Sequence, residues 1–174
     1  MEAVVVRDPV EVPGTDGFDA FVSARGDALW RSAWLLTGDA QLAEDLVQTA
    51  LGKCFARYDR VGPAGFEAYV RRALFTTYVA WWRRRWNGER PTEVLPERPA
   101  AGVDPGVRHD LVVALADLPR GQRAVLVLRF FEDLTERETA ELLGISVGTV
   151  KSQASRGLKA LRDSPALSQE DHDV

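Results

Sequence analysis

Apolar residues along this chain recur at intervals of three and four, the period of a helix with one buried face. Phe18, Phe21, Val22, Leu29, Trp30, Ala33 and Trp34 form the first such stripe, up to a Thr37-Gly38 stop, and Asp39 stands where it would cap a second helix. In that helix Ala43, Leu46, Val47, Ala50, Leu51, Cys54, Phe55 and Tyr58 keep the alternation, leaving Glu44, Asp45, Gln48 and Lys53 outside. Val61 to Gly65 reads as a turn. A third helix runs from about Phe66 to Trp86, burying Phe66, Tyr69, Val70, Ala73, Leu74 and Thr77, until Asn87-Gly88 ends it. Three helices with such stripes can close a bundle.

From residue 87 to residue 105 the periodicity stops, and Pro91, Pro96, Pro99 and Pro105 appear among scattered Glu and Gly. Beyond this stretch Leu111, Val112 and Leu115 mark a short helix, Leu118-Pro119 a break, and Ala124, Val125, Leu128 and Phe131 another helix. The pattern predicts an all-α chain of two small helical domains, residues 15–88 with three helices and 107–164 with four, joined by a flexible Pro-rich linker at 89–106.

The last helical pair, LTERETAELLGISVGTVKSQASRGLKAL from 134 to 161, has the punctuation of a helix-turn-helix. Thr135 and Glu138 are spaced as a capping box, and Gly144 supplies a left-handed helix end. Ser146 is placed to cap the second helix. On that helix Val150, Leu158 and Leu161 are expected inward, and Lys151, Ser152, Gln153, Ser155 and Arg156 outward. A Gly turn between short helices also occurs in ordinary bundles. Small Ala140 and Gly144 at the crossing, with a polar and net basic outer face, favour base reading over a partner helix, which would show apolar groups there.

Composition narrows the function classes. The 174 residues are 45% hydrophobic, enough for packed cores, with 14 Gly and 9 Pro. No apolar run reaches the roughly 18 residues a membrane helix needs. The start, MEAVVVRDPVEVPG, is acidic and broken by proline, so a cytoplasmic location is expected. Cys54 is the lone cysteine, distant in sequence from His109 and His172, which rules out an internal disulfide frame or zinc cluster. No phosphate loop, nucleophile elbow or His-Glu metal motif is present, so no catalytic residue, cofactor, metal or small-molecule substrate is expected.

The net charge of −4 conceals two basic segments. Arg71, Arg72, Arg83, Arg84, Arg85 and Arg90 face only Glu89 within residues 71–90, and Lys151, Arg156, Lys159 and Arg162 face Asp163. Two basic patches on an acidic chain suggest two contacts with one polyanion and weak affinity for the chain alone. The first patch is interleaved with aromatics in YVAWWRRRW, 78–86. Neighbours on a helix point about 100° apart, so Trp81 and Trp82 cannot share one core seam. At least one indole is expected outside, where a ring beside arginines can stack on unpaired bases.

Three segments taken together resemble a known family. AEDLVQTAL at 43–51, FEAYVRRALFTTYVAWWRRR at 66–85 and DLPRGQRAVLVLRFFEDLTERETAELLGISVGTVKSQASRGLKALR at 117–162 are similar to regions 2 and 4 of bacterial extracytoplasmic-function (ECF) RNA polymerase sigma factors. The run of Trp-Trp-Arg-Arg-Arg and the Lys-Ser-Gln string resemble an actinobacterial sigma-E-like subgroup. The resemblance spans nearly the whole chain.

It implies a specificity subunit with no active site of its own, working with core RNA polymerase on promoter DNA in recognition, melting and initiation, and often held by an anti-sigma factor. Asp45, Leu46 and Gln48 match the family's helix that docks on the largest polymerase subunit. Thr76, Tyr78, Trp81, Trp82, Arg83, Arg84 and Arg85 fall in the segment that captures an unstacked base of the proximal promoter element. Thr149, Lys151, Ser152, Gln153 and Arg156 fall where the recognition helix enters the major groove of the distal element. Thr76, where relatives often have Asn, Thr139, where many have Ile, and Gln153, where others have Arg, depart from the pattern; Gln153 suggests an adenine-reading amide. About 19 linker residues reach at most roughly 63 Å, or about 18 base pairs, enough for two promoter elements.

An ordinary two-domain regulator and a DNA-processing enzyme are the alternatives. The former predicts tight binding by the free chain, and the latter lacks a nucleophile or metal site.

Overall fold

A computed structural model describes residues 15–86 and 108–168. The expected linker at 89–106, the Asn87-Gly88 stop, both chain termini and the Arg85 side chain lie outside the described residues.

Helix α1 (Asp16–Thr37) ends where Gly38 turns left-handed, φ 69°, and its N–H returns to the Trp34 carbonyl at 2.7 Å. The Asp39 carboxylate accepts the Leu42 N–H at 2.8 Å and starts α2 (Ala40–Phe55). Ala43, Leu46, Val47, Ala50, Leu51 and Cys54 are buried along α2 as its spacing predicts. Phe55, expected inward, is 46% exposed, and Tyr58 belongs to a separate one-turn helix, α3 (Tyr58–Val61). The turn predicted at 61–65 is shorter than expected: α4 (Pro63–Trp86) begins at Pro63, whose fixed φ suits a first helical position.

These helices close around Phe66, which is fully buried. Phe21, Phe18 and Tyr58 meet it edge-on at 4.9, 5.9 and 4.8 Å between ring centres, and Tyr69 stacks at 6.3 Å. Edge-to-face rings align each positive rim with a negative face, adding to the burial itself.

The second set comprises α5 (His109–Ala116), α6 (Arg120–Leu126), α7 (Glu136–Leu143) and α8 (Val147–Arg162). Helix α6 runs on into a π-helical turn, Val127–Phe131, where the Glu132 N–H bonds the Val127 carbonyl at 3.1 Å. That wider turn shifts the inward register, so Phe131, expected in the core, is 44% exposed beside Phe130. On α8 the inward line is Val150, Ala154, Gly157 and Leu161; Leu158, expected inward, is 38% exposed. Gly157 belongs on this line because a Cβ there would stand 2.8 Å from Leu126 Cδ1.

The two sets are packed together. Helix α1 lies against α5 and the π-helical turn, α4 lies against α7, and one hydrophobic core runs from Leu29 through Val150. Helical periodicity does not foresee this contact, because a stripe says which face is buried and not which partner covers it; hydrogen bonds from Arg71, Arg83 and Arg123 bridge the two sets beside the shared apolar core.

Truncating Phe66→Ala should cost about 3–5 kcal/mol, through lost burial plus the cavity left among four rings. Urea unfolding of the full chain checks this as a lowered midpoint.

Candidate nucleic-acid interface

The helix-turn-helix is built as its caps require. Thr135 Oγ1 accepts the Glu138 N–H at 3.1 Å, and Glu138 Oε2 accepts the Thr135 N–H at 2.7 Å. Those bonds hold the Glu138 carboxyl below the usual carboxylate range. Gly144 is left-handed at φ 68°, and Ser146 Oγ accepts the Thr149 N–H at 3.0 Å to open α8. With Val150 fully buried, Thr149, Lys151, Ser152 and Arg156 are exposed together on one face, and Gln153 is half-buried beside Gly121. Lys151 Nζ lies 3.8 Å from Glu136 Oε2 on α7, a surface pair weak enough for a phosphate to replace. This face can present hydrogen-bonding groups to base edges in a major groove.

On α4 the candidates divide. Thr76 is exposed, its hydroxyl donating back to the Arg72 carbonyl at 2.9 Å. Trp81 and Trp82 are both half-buried, so neither ring is the fully exposed one that their 100° separation suggested. They share a cavity of about 350 Å³ with Leu36, Thr37, Leu42, Tyr78, Arg84 and Arg120. An aromatic cavity with two guanidinium groups at its border suits a flat, polar-edged ring attached to an anionic backbone. Arg120, Leu36 and Leu42 were missed by sequence reasoning because they come from three other segments and carry no local signal.

Two of the α4 candidates are occupied by protein. Tyr78 is only 8% exposed. The exposed Arg83 reaches across to the end of α7, its Nη2 donating to the Leu143 carbonyl at 3.3 Å. On α2, Asp45 and Gln48 are exposed and pair along their own helix, with Gln41 at 3.2 Å and Glu44 at 3.0 Å. Leu46, grouped with them from the sequence, is fully buried and serves the core. Burial also raises the Cys54 thiol above its ordinary value, as expected of an inert core cysteine. Among the described residues no cluster of His, Cys, Asp or Glu is arranged to hold a metal, and no helix is long and apolar enough to cross a membrane.

An exposed polar face on a helix-turn-helix, together with a further helix bearing indoles and arginines, is the arrangement expected of a DNA-binding protein. The family model described as sigma-70, region 4 matches residues 108–161. The chain is 42% identical over 149 residues to the RNA polymerase sigma-E factor of Streptomyces coelicolor, covering 84% of each. It is 34% identical over 157 residues to the ECF RNA polymerase sigma factor SigE of Mycolicibacterium smegmatis, covering 84% of this chain and 60% of that one. The fold is similar to that of sigma factor RpoE from Bartonella quintana, solved in complex with the anti-sigma factor NepR, at TM-score 0.65 and 23% identity over 88% of this chain and 98% of that one. The chain belongs to the ECF family of RNA polymerase sigma factors.

Burial raises the Tyr78 phenol above its ordinary 10.0, while the charges of Arg123 and Arg120 pull less strongly the other way. The stabilisation is therefore complete below about pH 10 and is lost as pH rises through the folded-state value, because the unfolded phenol ionises first. Tyr78→Phe should flatten the alkaline fall in stability, read as urea midpoints across that range.

Proposed function

We propose that the chain is the promoter-specificity subunit of an RNA polymerase. Residues 15–88 hold core polymerase and the proximal promoter element, residues 107–164 read the distal element, and residues 89–106 tether them. The observation that carries this reading is the helix-turn-helix face of α8, where Thr149, Lys151, Ser152 and Arg156 are exposed around a fully buried Val150. Family membership supplies the polymerase.

In this mechanism α8 enters the major groove, with Arg156 forking onto a guanine edge, Gln153 facing an adenine, and Thr149, Lys151 and Ser152 on the backbone or neighbouring bases. On α4, Trp81 and Trp82 receive an unpaired non-template base in their cavity, which Tyr78 lines, the exposed Thr76 meets the neighbouring strand, and Arg83, Arg84 and Arg85 hold the adjoining phosphates. Unstacking each base costs a few kcal/mol, so strand opening falls to the assembled enzyme and not to this chain alone. Asp45 and Gln48, on the outer face of α2, contact the polymerase, with Leu46 fixing that helix from beneath. No residue performs bond chemistry here; the chain positions the polymerase, which does. RpoE was solved with the anti-sigma factor NepR and CnrH with the cytosolic domain of CnrY, and an anti-sigma partner of this kind is proposed for this chain as well.

The test is reconstitution: purified chain, core polymerase and a library of promoter fragments, with transcript starts mapped. Starts should gather downstream of one shared pair of elements, and no chain-dependent initiation would overturn the reading. Arg156→Ala should cost about 1–3 kcal/mol at the distal element and relax selectivity there, whereas Arg84→Ala should weaken binding evenly across sequences. Asp45→Ala should lower affinity for core polymerase with helicity unchanged by circular dichroism.

A further inference from the structure

The carboxylates around the helix-turn-helix have different work. On α7, Glu138 is engaged in the capping box with Thr135, and Glu141 pairs with Arg137 one turn back at 3.4 Å. Glu132, ahead of that helix, is turned to Arg71 and Ser32 of the first set. Glu136 does neither. Its side chain, 38% exposed, leaves the first turn of α7 for the neighbouring helix, where Oε2 stands 3.8 Å from Lys151 Nζ.

Helical geometry sets that lysine apart from the other candidates on α8. Ser152 and Arg156, four residues apart, point within about 40° of each other, and Thr149 falls about 60° from Ser152. Lys151 lies about 100° round from Ser152, on the flank toward α7. In a helix-turn-helix seated on duplex DNA the second helix meets base edges, while the first crosses the sugar-phosphate backbone. Ser152 and Arg156 therefore stand where bases are read, and the pair of Glu136 and Lys151 stands where phosphates pass.

A cation at that place acts without regard to sequence. A free lysine that takes a phosphate releases condensed counterions and strengthens binding to any duplex. Lys151 is not free in this sense, because a carboxylate cancels most of its charge at short range. Among the described residues Arg156, by contrast, is paired with no carboxylate. A phosphate can displace so exposed a partner, but the lysine then gives up its attraction to Glu136 and leaves that carboxylate facing the phosphate. On a chain of net charge −4, one such contact is a sizeable part of the attraction to DNA.

We propose that Glu136 is a positioning residue for duplex binding: it holds Lys151 beside α7 and withholds one sequence-independent phosphate contact from α8, so that the reading helix relies on its base contacts more than on its charge. The inference rests on the assignment of α8 to the distal promoter element made above.

The test uses the full chain, Glu136→Gln, Lys151→Ala and the double variant. Each is titrated by fluorescence anisotropy, across a range of salt concentrations, with a duplex carrying the distal element found by reconstitution and with a scrambled duplex of the same length. Circular dichroism checks that each variant is as helical as the parent. Glu136→Gln should tighten binding to both duplexes alike, about two- to fivefold at low salt, the worth of one exposed ion pair. The slope of log affinity against log salt should steepen by about 0.9, the signature of one added phosphate contact. In the Lys151→Ala background the same substitution should change neither quantity. Weaker binding, a gain on one duplex alone, an unchanged slope or an equal gain without Lys151 would each overturn the proposal. If the parent fails to prefer the element over the scrambled duplex, the assignment of α8 is in error, while the scrambled duplex still decides the role of Glu136.

Discussion

A helix that ends inside a protein must find donors for its last carbonyl groups, and the way two helices here solve this governs how the whole chain is put together. Helices α1 and α7 both stop at a left-handed glycine, and each leaves a carbonyl, Thr37 or Leu143, that is met by an arginine from the other half. The direction of α1 at Gly38 leads directly into the Asp39 cap of α2, and the direction of α7 at Gly144 leads directly into the Ser146 cap of α8. The same two corners thus set the direction of α2, the direction of α8 and the seam between the halves.

The π-helical turn at Val127–Phe131 has a comparable influence on a smaller scale. By adding to the turn it rotates Phe130 and Phe131 outward, while Leu128 stays buried and Glu132 comes to face α1 and α4. A regular α6 would continue its apolar stripe through Phe131 and would not deliver a carboxylate to the seam. A local departure from 3.6 residues per turn therefore decides what lies between the halves.

Much of the architecture was legible in the residues. The Gly38 stop, the Asp39 cap, the α2 stripe from Ala43 to Cys54, the Thr135–Glu138 box and the Ser146 cap all appear where spacing places them. The candidate reading face on α8 was legible for the same reason, since burying Val150 leaves Lys151, Ser152 and Arg156 outside on a rigid helix. The candidate face on α4 was legible only in composition. Arginines and indoles identify its chemistry, but the burial of Tyr78, the cavity that Trp81 and Trp82 share with Leu36, Leu42 and Arg120, and the partner of Arg83 depend on residues from other segments.

What the amino-acid order determined by itself is therefore the set of helices, their ends and their intrinsic faces, because these follow from caps and stripes that act within about four residues. Tertiary structure alone decided which of those faces are covered. The contacts responsible span far longer separations, 100 residues for Ser32 with Glu132, 86 for Arg123 with Thr37 and 60 for Arg83 with Leu143. A side chain's periodicity carries no information about a partner so far along the chain.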